Sequence, residues 1–235
     1  METIFNCSAQ PIDKNTSGEE MTQLYKQALT EGKSSGFTPV VVFVDDILEE
    51  TVEDYYSEAE SSEAYISSVL SKDHPDGKKY LDKCYEALEE FYGEELSLNE
   101  ELLDALRSQS AYASDSKVIP SAGTFEGNVY LLRVPSAAPY EVFAYIPFCG
   151  WNDCPGVDDM ISVCRHWYDS YGALPAVITH DMLIFYLEDP VTDVNTVAEL
   201  AKEHAAFCQD SLDMGGIESC AAMINKSPVW SFWWD

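Results

Sequence analysis

Two short segments carry the side chains most suited to chemistry. Gly150-Trp151-Asn152-Asp153-Cys154-Pro155 stands just before an apolar stripe of helical period, and His180-Asp181 lies between two strand-like runs. A thiol at the positive end of a helix has its thiolate favoured, which would make Cys154 a nucleophile. His180 could then take the thiol proton while Asp181 orients the ring, the division of labour of a thiol hydrolase. The same residues admit a plainer account. Asn152 or Asp153 can cap the helix, Trp151 and Cys154 can pack, and His180-Asp181 can be a turn built on the aspartate.

The other candidates divide by spacing. Cys149, Cys154, Cys164 and His166 contain neither Cys-x2-Cys nor His-x3-His, and positions 164 and 166 point to different faces of a helix, so no metal site is expected. His204 falls on an apolar helix face, as a hydrogen-bonded core histidine would, and His166 shares a polar face with Arg165 and Asp169. The closing Trp230-Ser231-Phe232-Trp233-Trp234-Asp235, read as a strand, turns Trp230, Phe232 and Trp234 to one side and Ser231, Trp233 and Asp235 to the other. One side would fill a core. The other would offer Trp233 and Asp235 for binding, alongside Trp151, Asn152 and Asp153, unless the strand is buried on both faces.

These residues need elements to position them. Residues 39–44 (PVVVFV) read as a buried strand, and Asp45 or Asp46 can cap the helical stretch after it. Residues 47–106 are helical in pattern and densely acidic, with a turn at His74-Pro75-Asp76-Gly77 and an apolar stripe of Tyr80, Leu81, Cys84, Tyr85, Leu88 and Phe91. Residues 108–127, rich in Ser, Ala and Gly, read as a loop or linker. Beyond it, 129–134 and 141–146 read as a strand hairpin, 157–171 as a helix stopped by Gly172, 176–179 and 182–187 as strands, and Thr196-Val197-Ala198-Glu199 as a helix start of capping-box type. The fold class expected is α+β, α/β sandwich-like: a mixed sheet with packed helices and an acidic helical N-terminal half. The divisions are 1–110, mostly helical with one strand near 39–44; a linker at 111–128; and an α+β domain at 129–235.

The chain has 42 Asp and Glu against 13 Lys and Arg, a formal charge of -29 over 235 residues. Such a field repels phosphates and anionic membranes and speeds encounter with basic macromolecules. Hydrophobic residues make up 46%, so this is no disordered acidic tail. No apolar run nears the ~20 residues of a membrane span. Seven scattered cysteines suit a reducing compartment, and Met1-Glu2-Thr3 lacks the stretches of a secretion signal, so a cytoplasmic location is expected.

The C-terminal half resembles a mainly bacterial family, the domain of unknown function 4253. The resemblance rests on residues 140–148 (YEVFAYIPF), 150–155 (GWNDCP), 176–181 (AVITHD) and 230–235 (WSFWWD), with looser likeness at 39–44 and 75–77. The family commonly has Gly where this chain has Cys149. The resemblance implies a functional face and no established reaction.

Three functions stand as expectations. The first is an acidic binding protein for a basic protein partner, such as an immunity protein that neutralises a toxin, with neither a cofactor nor direct nucleic acid or membrane binding. The second is a hydrolase using Cys154, His180 and Asp181. The third is a nucleic acid mimic that occupies a DNA-binding protein.

Overall fold

The computed structural model describes residues 4–96, 98–110, 118–148, 150, 152–213 and 215–235, with Glu94 and Glu95 by backbone alone. Six strands form its frame: β1 (Ser8–Ile12), β2 (Thr38–Val44), β3 (Asn128–Val134), β4 (Leu174–Ile178), β5 (Met182–Tyr186) and β6 (Val229–Trp233). They make one mixed sheet in the order β1-β3-β2-β4-β5-β6. β3 runs antiparallel between β1 and β2, β2 and β4 are parallel, and β4, β5 and β6 form an antiparallel meander. Strands from both sides of the composition shift thus share one sheet. The N-terminal region supplies two strands where the sequence suggested one, because β1 is a half-exposed edge strand whose polar residues and Pro11 hide its pattern.

Helices cover both faces. α1 (Gly18–Ser35) opens with a full capping box at Ser17 and Glu20 and buries Met21, Tyr25, Ala28 and Leu29 against Val41, Phe43, Val129, Leu131 and Ile184. Val118, Ile119 and Ala122 join that layer. The second half of the presumed linker is therefore loop in backbone and core in packing; the amides of Val118 and Ile119 both donate to Thr22 Oγ1, at 3.1 and 3.0 Å. The opposite face carries α2 (Asp46–Ser57), α3 (Ser62–Leu70), α4 (Gly77–Tyr92), α5 (Glu100–Ser108), α6 (Val142–Tyr145), α7 (Val157–Tyr171), α8 (Val194–Phe207) and α9 (Gly216–Ile224). This is an α+β fold.

Trp167 of α7 sits at the centre of the second layer, stacked on Phe232 at 5.4 Å and edge-on to Phe185, Phe207 and Trp230. The alternation expected of β6 holds: Trp230 and Phe232 are buried and Ser231 and Trp233 exposed. α4 lies close on α7 because Gly77 has no side chain; a Cβ there would stand 2.2 Å from the Ser162 carbonyl oxygen. Phe91, counted in the apolar stripe of α4, is instead 80% exposed.

Four expectations need correction. Residues 141–146 are not a strand: Pro139 opens a short turn of 3-10 helix and α6 comes directly after it, every residue buried. A short apolar run buried on all sides has no period to separate strand from helix, and Pro in the first turn decides for helix. Neither Asn152 nor Asp153 caps α7, whose N-cap is Gly156. α8 starts earlier than Thr196, with Asp193 as cap accepting from the Thr196 amide at 2.9 Å. His166 is no solvated side chain; it shares the buried Glu203 carboxylate with Trp167, whose Nε1 donates at 2.8 Å.

Candidate functional site

Parallel pairing of β2 with β4, Val41 beside Val177 and Val42 beside Ile178, brings their carboxyl ends side by side. Each strand delivers one half of a polar cluster there. β2 runs into Asp45, which is extended and caps α2: its Oδ1 accepts from the Leu48 amide at 2.9 Å. That leaves Oδ2 to meet His180 Nδ1 at 2.5 Å.

β4 runs into the turn Thr179-His180-Asp181. Thr179 Oγ1 accepts from the amides of Asp181 and Met182 at 3.2 and 2.8 Å and donates to Asp181 Oδ1 at 2.6 Å. Asp181 Oδ2 stands 3.7 Å from His180 Nε2 and accepts from Trp233 Nε1 at 2.9 Å. The turn is tied to the end of β6 a second time, since the Trp234 amide donates to the Asp181 carbonyl at 3.0 Å.

The loop before α7 joins the same ground. Asn152, in the left-handed region at φ 48°, donates through Nδ2 to the Asp235 carbonyl, and the Asp235 amide donates to Asp210 Oδ2 at 3.0 Å. Two glycines seat this assembly. Gly127, at φ 79°, lies so close to the end of β2 that a Cβ would come within 2.2 Å of the Val44 carbonyl oxygen and 2.5 Å of the Asp45 amide nitrogen. Gly150, at φ 98°, lies against Tyr55 of α2, 2.4 Å from a Cβ to the phenol oxygen.

The structure therefore brings together His180, Asp181, Trp233, Asn152 and Asp235 of the expected residues. Asp153 is exposed on the same loop. Trp151 and Cys149 lie outside the described residues. Cys154 is in the core at 6% exposure. Among the described residues, no group of three or more Cys, His, Asp or Glu side chains is placed to hold a metal ion. Sequence reasoning missed Asp45 as a partner of His180, and Asp210 and Thr179 altogether. Asp45 gave a signal only as a helix cap.

The cluster is a polar strap more than a cleft. An imidazole held between two carboxylates links the start of α2, the β4–β5 turn and the end of β6. Exposed beside it are Trp233, at 44%, and Ile47 in the first turn of α2, at 55%. α2 turns Asp46, Glu49, Glu50, Glu53 and Asp54 to solvent, with Glu58 just past its end, and none of the six has a basic partner among the described residues.

No helix of the described residues is long and apolar enough to cross a membrane. No curated protein and no solved structure matches the chain. The strands and loops that supply His180, Asp181, Asn152 and Trp233 all fall within one stretch, whereas β2, Asp45 and α2 precede it: residues 130–235, the C-terminal half, match the family model of a domain of unknown function, DUF4253.

Proposed function

We propose that this protein recognises a basic protein partner through the face built from α2, the His180-Asp181 turn and Trp233. The observation that carries the reading is the juxtaposition on α2 and beside it: six solvent-facing carboxylates without basic partners among the described residues, next to an exposed tryptophan anchored by Asp181 and an exposed isoleucine. Unpaired surface carboxylates steer a basic surface toward them, and a rigidly held aromatic supplies the short-range contact. The His180 strap fits this role because it fixes relative positions of three elements and leaves Trp233 presented. A toxin with a basic surface is one partner of this chemistry, which would make the protein its immunity protein; a DNA-binding protein is another, with α2 in the place of a phosphate backbone.

The rival, hydrolysis with Cys154 as nucleophile, needs a thiol that meets substrate, and Cys154 is 6% exposed. The test is capture from a lysate of the source cells with three baits: the wild type, Trp233→Ala, and a chain carrying Glu49→Gln, Glu50→Gln, Glu53→Gln and Asp54→Asn. The expected result is one basic protein held by the wild type at low salt and lost by both variants. Equal capture by all three baits, or a captured protein that is not basic, would overturn the reading.

A further inference from the structure

At the ends of β2 and β4 away from His180 lies a cavity of about 630 Å³, within the roughly 300–1,000 Å³ of small-molecule sites. Both strands start there, at Thr38 and Leu174, and two helices finish there: Lys33 of α1 and Asp169 of α7 are both in the lining. Leu29, Pro39, Pro139 and Leu174, all buried, make an apolar wall, with the half-buried rings of Phe37 and Tyr168 beside it. Phe37 lies against α1 because Gly32 has no side chain; a Cβ there would stand 2.3 Å from the Phe37 carbonyl oxygen and 3.3 Å from its ring. The loop at the rim is held as well, since Thr38 Oγ1 donates to the Ser136 carbonyl at 2.8 Å, next to Ala137.

The charges of the lining give the sign of the ligand. Lys33 is its one basic residue and is taken up by Glu188, with Nζ 2.6 Å from Oε2. Asp169 makes no ion pair among the described residues. It stands in the last turn of α7, the negative end of the helix dipole, where a cation is favoured and a carboxylate is not. That turn holds no basic residue, and Arg165, one turn back on the same face, lies over the Tyr140 ring at 4.9 Å instead. A helix end without its cation, carrying an unpaired carboxylate beside an apolar cavity, is a local conflict of the kind that marks functional sites. An anion would meet Asp169, the helix end and the field of the whole chain. An uncharged ligand would leave the conflict standing.

We propose that this cavity is a binding site for a small aromatic amine, its ammonium beside Asp169 at the end of α7 and its ring against Phe37 and Tyr168. The protein's two rings serve in both respects, packing on an aromatic body and attracting a cation through their negative faces. Asp169 and Ala137 are both exposed, so either can be replaced without disturbing the core. The site is separate from the α2 face and does not depend on it.

The experiment follows the backbone amides of Phe37 and Gly172, which flank the cavity, in a proton–nitrogen correlation spectrum of the full chain. The probe is 2-phenylethylamine; 2-phenylethanol, phenylacetate and methylammonium are the controls for charge, for sign and for the ring. The expected result is a saturable shift of both signals with the amine, at a Kd of ~1 mM or tighter. Asp169→Asn should weaken it about threefold, the scale of one exposed charge contact, and Ala137→Trp, which fills the mouth, should abolish it. No saturable shift with the amine would overturn the proposal. So would equal affinity for the alcohol or the acid, the same shifts with methylammonium, which would mark general attraction of cations to an acidic chain, or an affinity that either substitution leaves unchanged.

Discussion

Replacing His204 with phenylalanine isolates one source of acid sensitivity in the fold. The imidazole is enclosed by Trp167, Trp230 and Phe232, at centroid separations of 5.2, 4.8 and 4.7 Å. Burial there lowers its pKa from the ordinary 6.5 to about 3. The folded chain keeps the ring neutral, while the unfolded chain protonates it once the pH falls below about 6.5. Stability is therefore full above that pH and is lost as the pH falls toward 3, because the unfolded state binds the extra proton. Each pH unit is worth about 1.4 kcal/mol, so descent to about pH 4.5 costs ~3 kcal/mol and the whole window ~5 kcal/mol. That is a large part of the 5–15 kcal/mol on the order of which domains are stable. Phenylalanine binds no proton, and any overpacking penalty, about 1–3 kcal/mol, applies at every pH alike. The assay is urea denaturation of both chains at several pH values from about 7 to about 4.5. The quantity of interest is the difference between them, in which acid-sensitive caps such as Asp76 and Asp193, held low by hydrogen bonds from backbone amides, cancel. The wild type should lose ground to His204→Phe by about 1.4 kcal/mol per pH unit below 6.5. A difference that stays constant across that range refutes the neutral, desolvated histidine.

Three further perturbations arise from the geometry. Gly77→Ala would drive a methyl into the Ser162 carbonyl and pry α4 from α7, lowering stability by about 1–3 kcal/mol in denaturant melts. Gly127→Ala combines a positive φ with a clash at Val44 and Asp45, so partner binding should weaken along with stability, whereas Gly36→Ala, equally left-handed but facing open space, should lower stability alone. Thr179→Val removes an oxygen that accepts two amides and donates to Asp181; it should cost about 1–3 kcal/mol and broaden the Trp233 indole N–H signal, as Asp181 loses one of its anchors.

Parts of this arrangement were legible where the signal is local. Asp45 as a cap, the turn at His180-Asp181, the helix over 157–171 and the two-sided pattern of β6 all depend on residues within a few positions of one another, the range over which capping and periodicity operate. The His180–Asp45 contact spans 135 residues and requires β2 and β4 to lie parallel, which no spacing announces. His166 looked polar among polar neighbours because its partner, Glu203, comes from another helix. Residues 141–146 failed for the opposite reason: buried from Val142 onward, they offered no alternation to read. Val118 and Ile119 sit in a stretch whose composition suggests solvent, yet Thr22 gives their amides an acceptor inside the core.

The measurement that bears most directly on recognition by the α2 face is the association rate with the captured partner as ionic strength rises from about 10 mM to about 1 M, over which the screening length falls from ~30 to ~3 Å. The wild-type rate should fall steeply, the chain lacking the four α2 charges should start slower with a shallower slope, and Trp233→Ala should mainly speed dissociation. A wild-type rate indifferent to salt, or one that the four substitutions leave unchanged, would contradict the account.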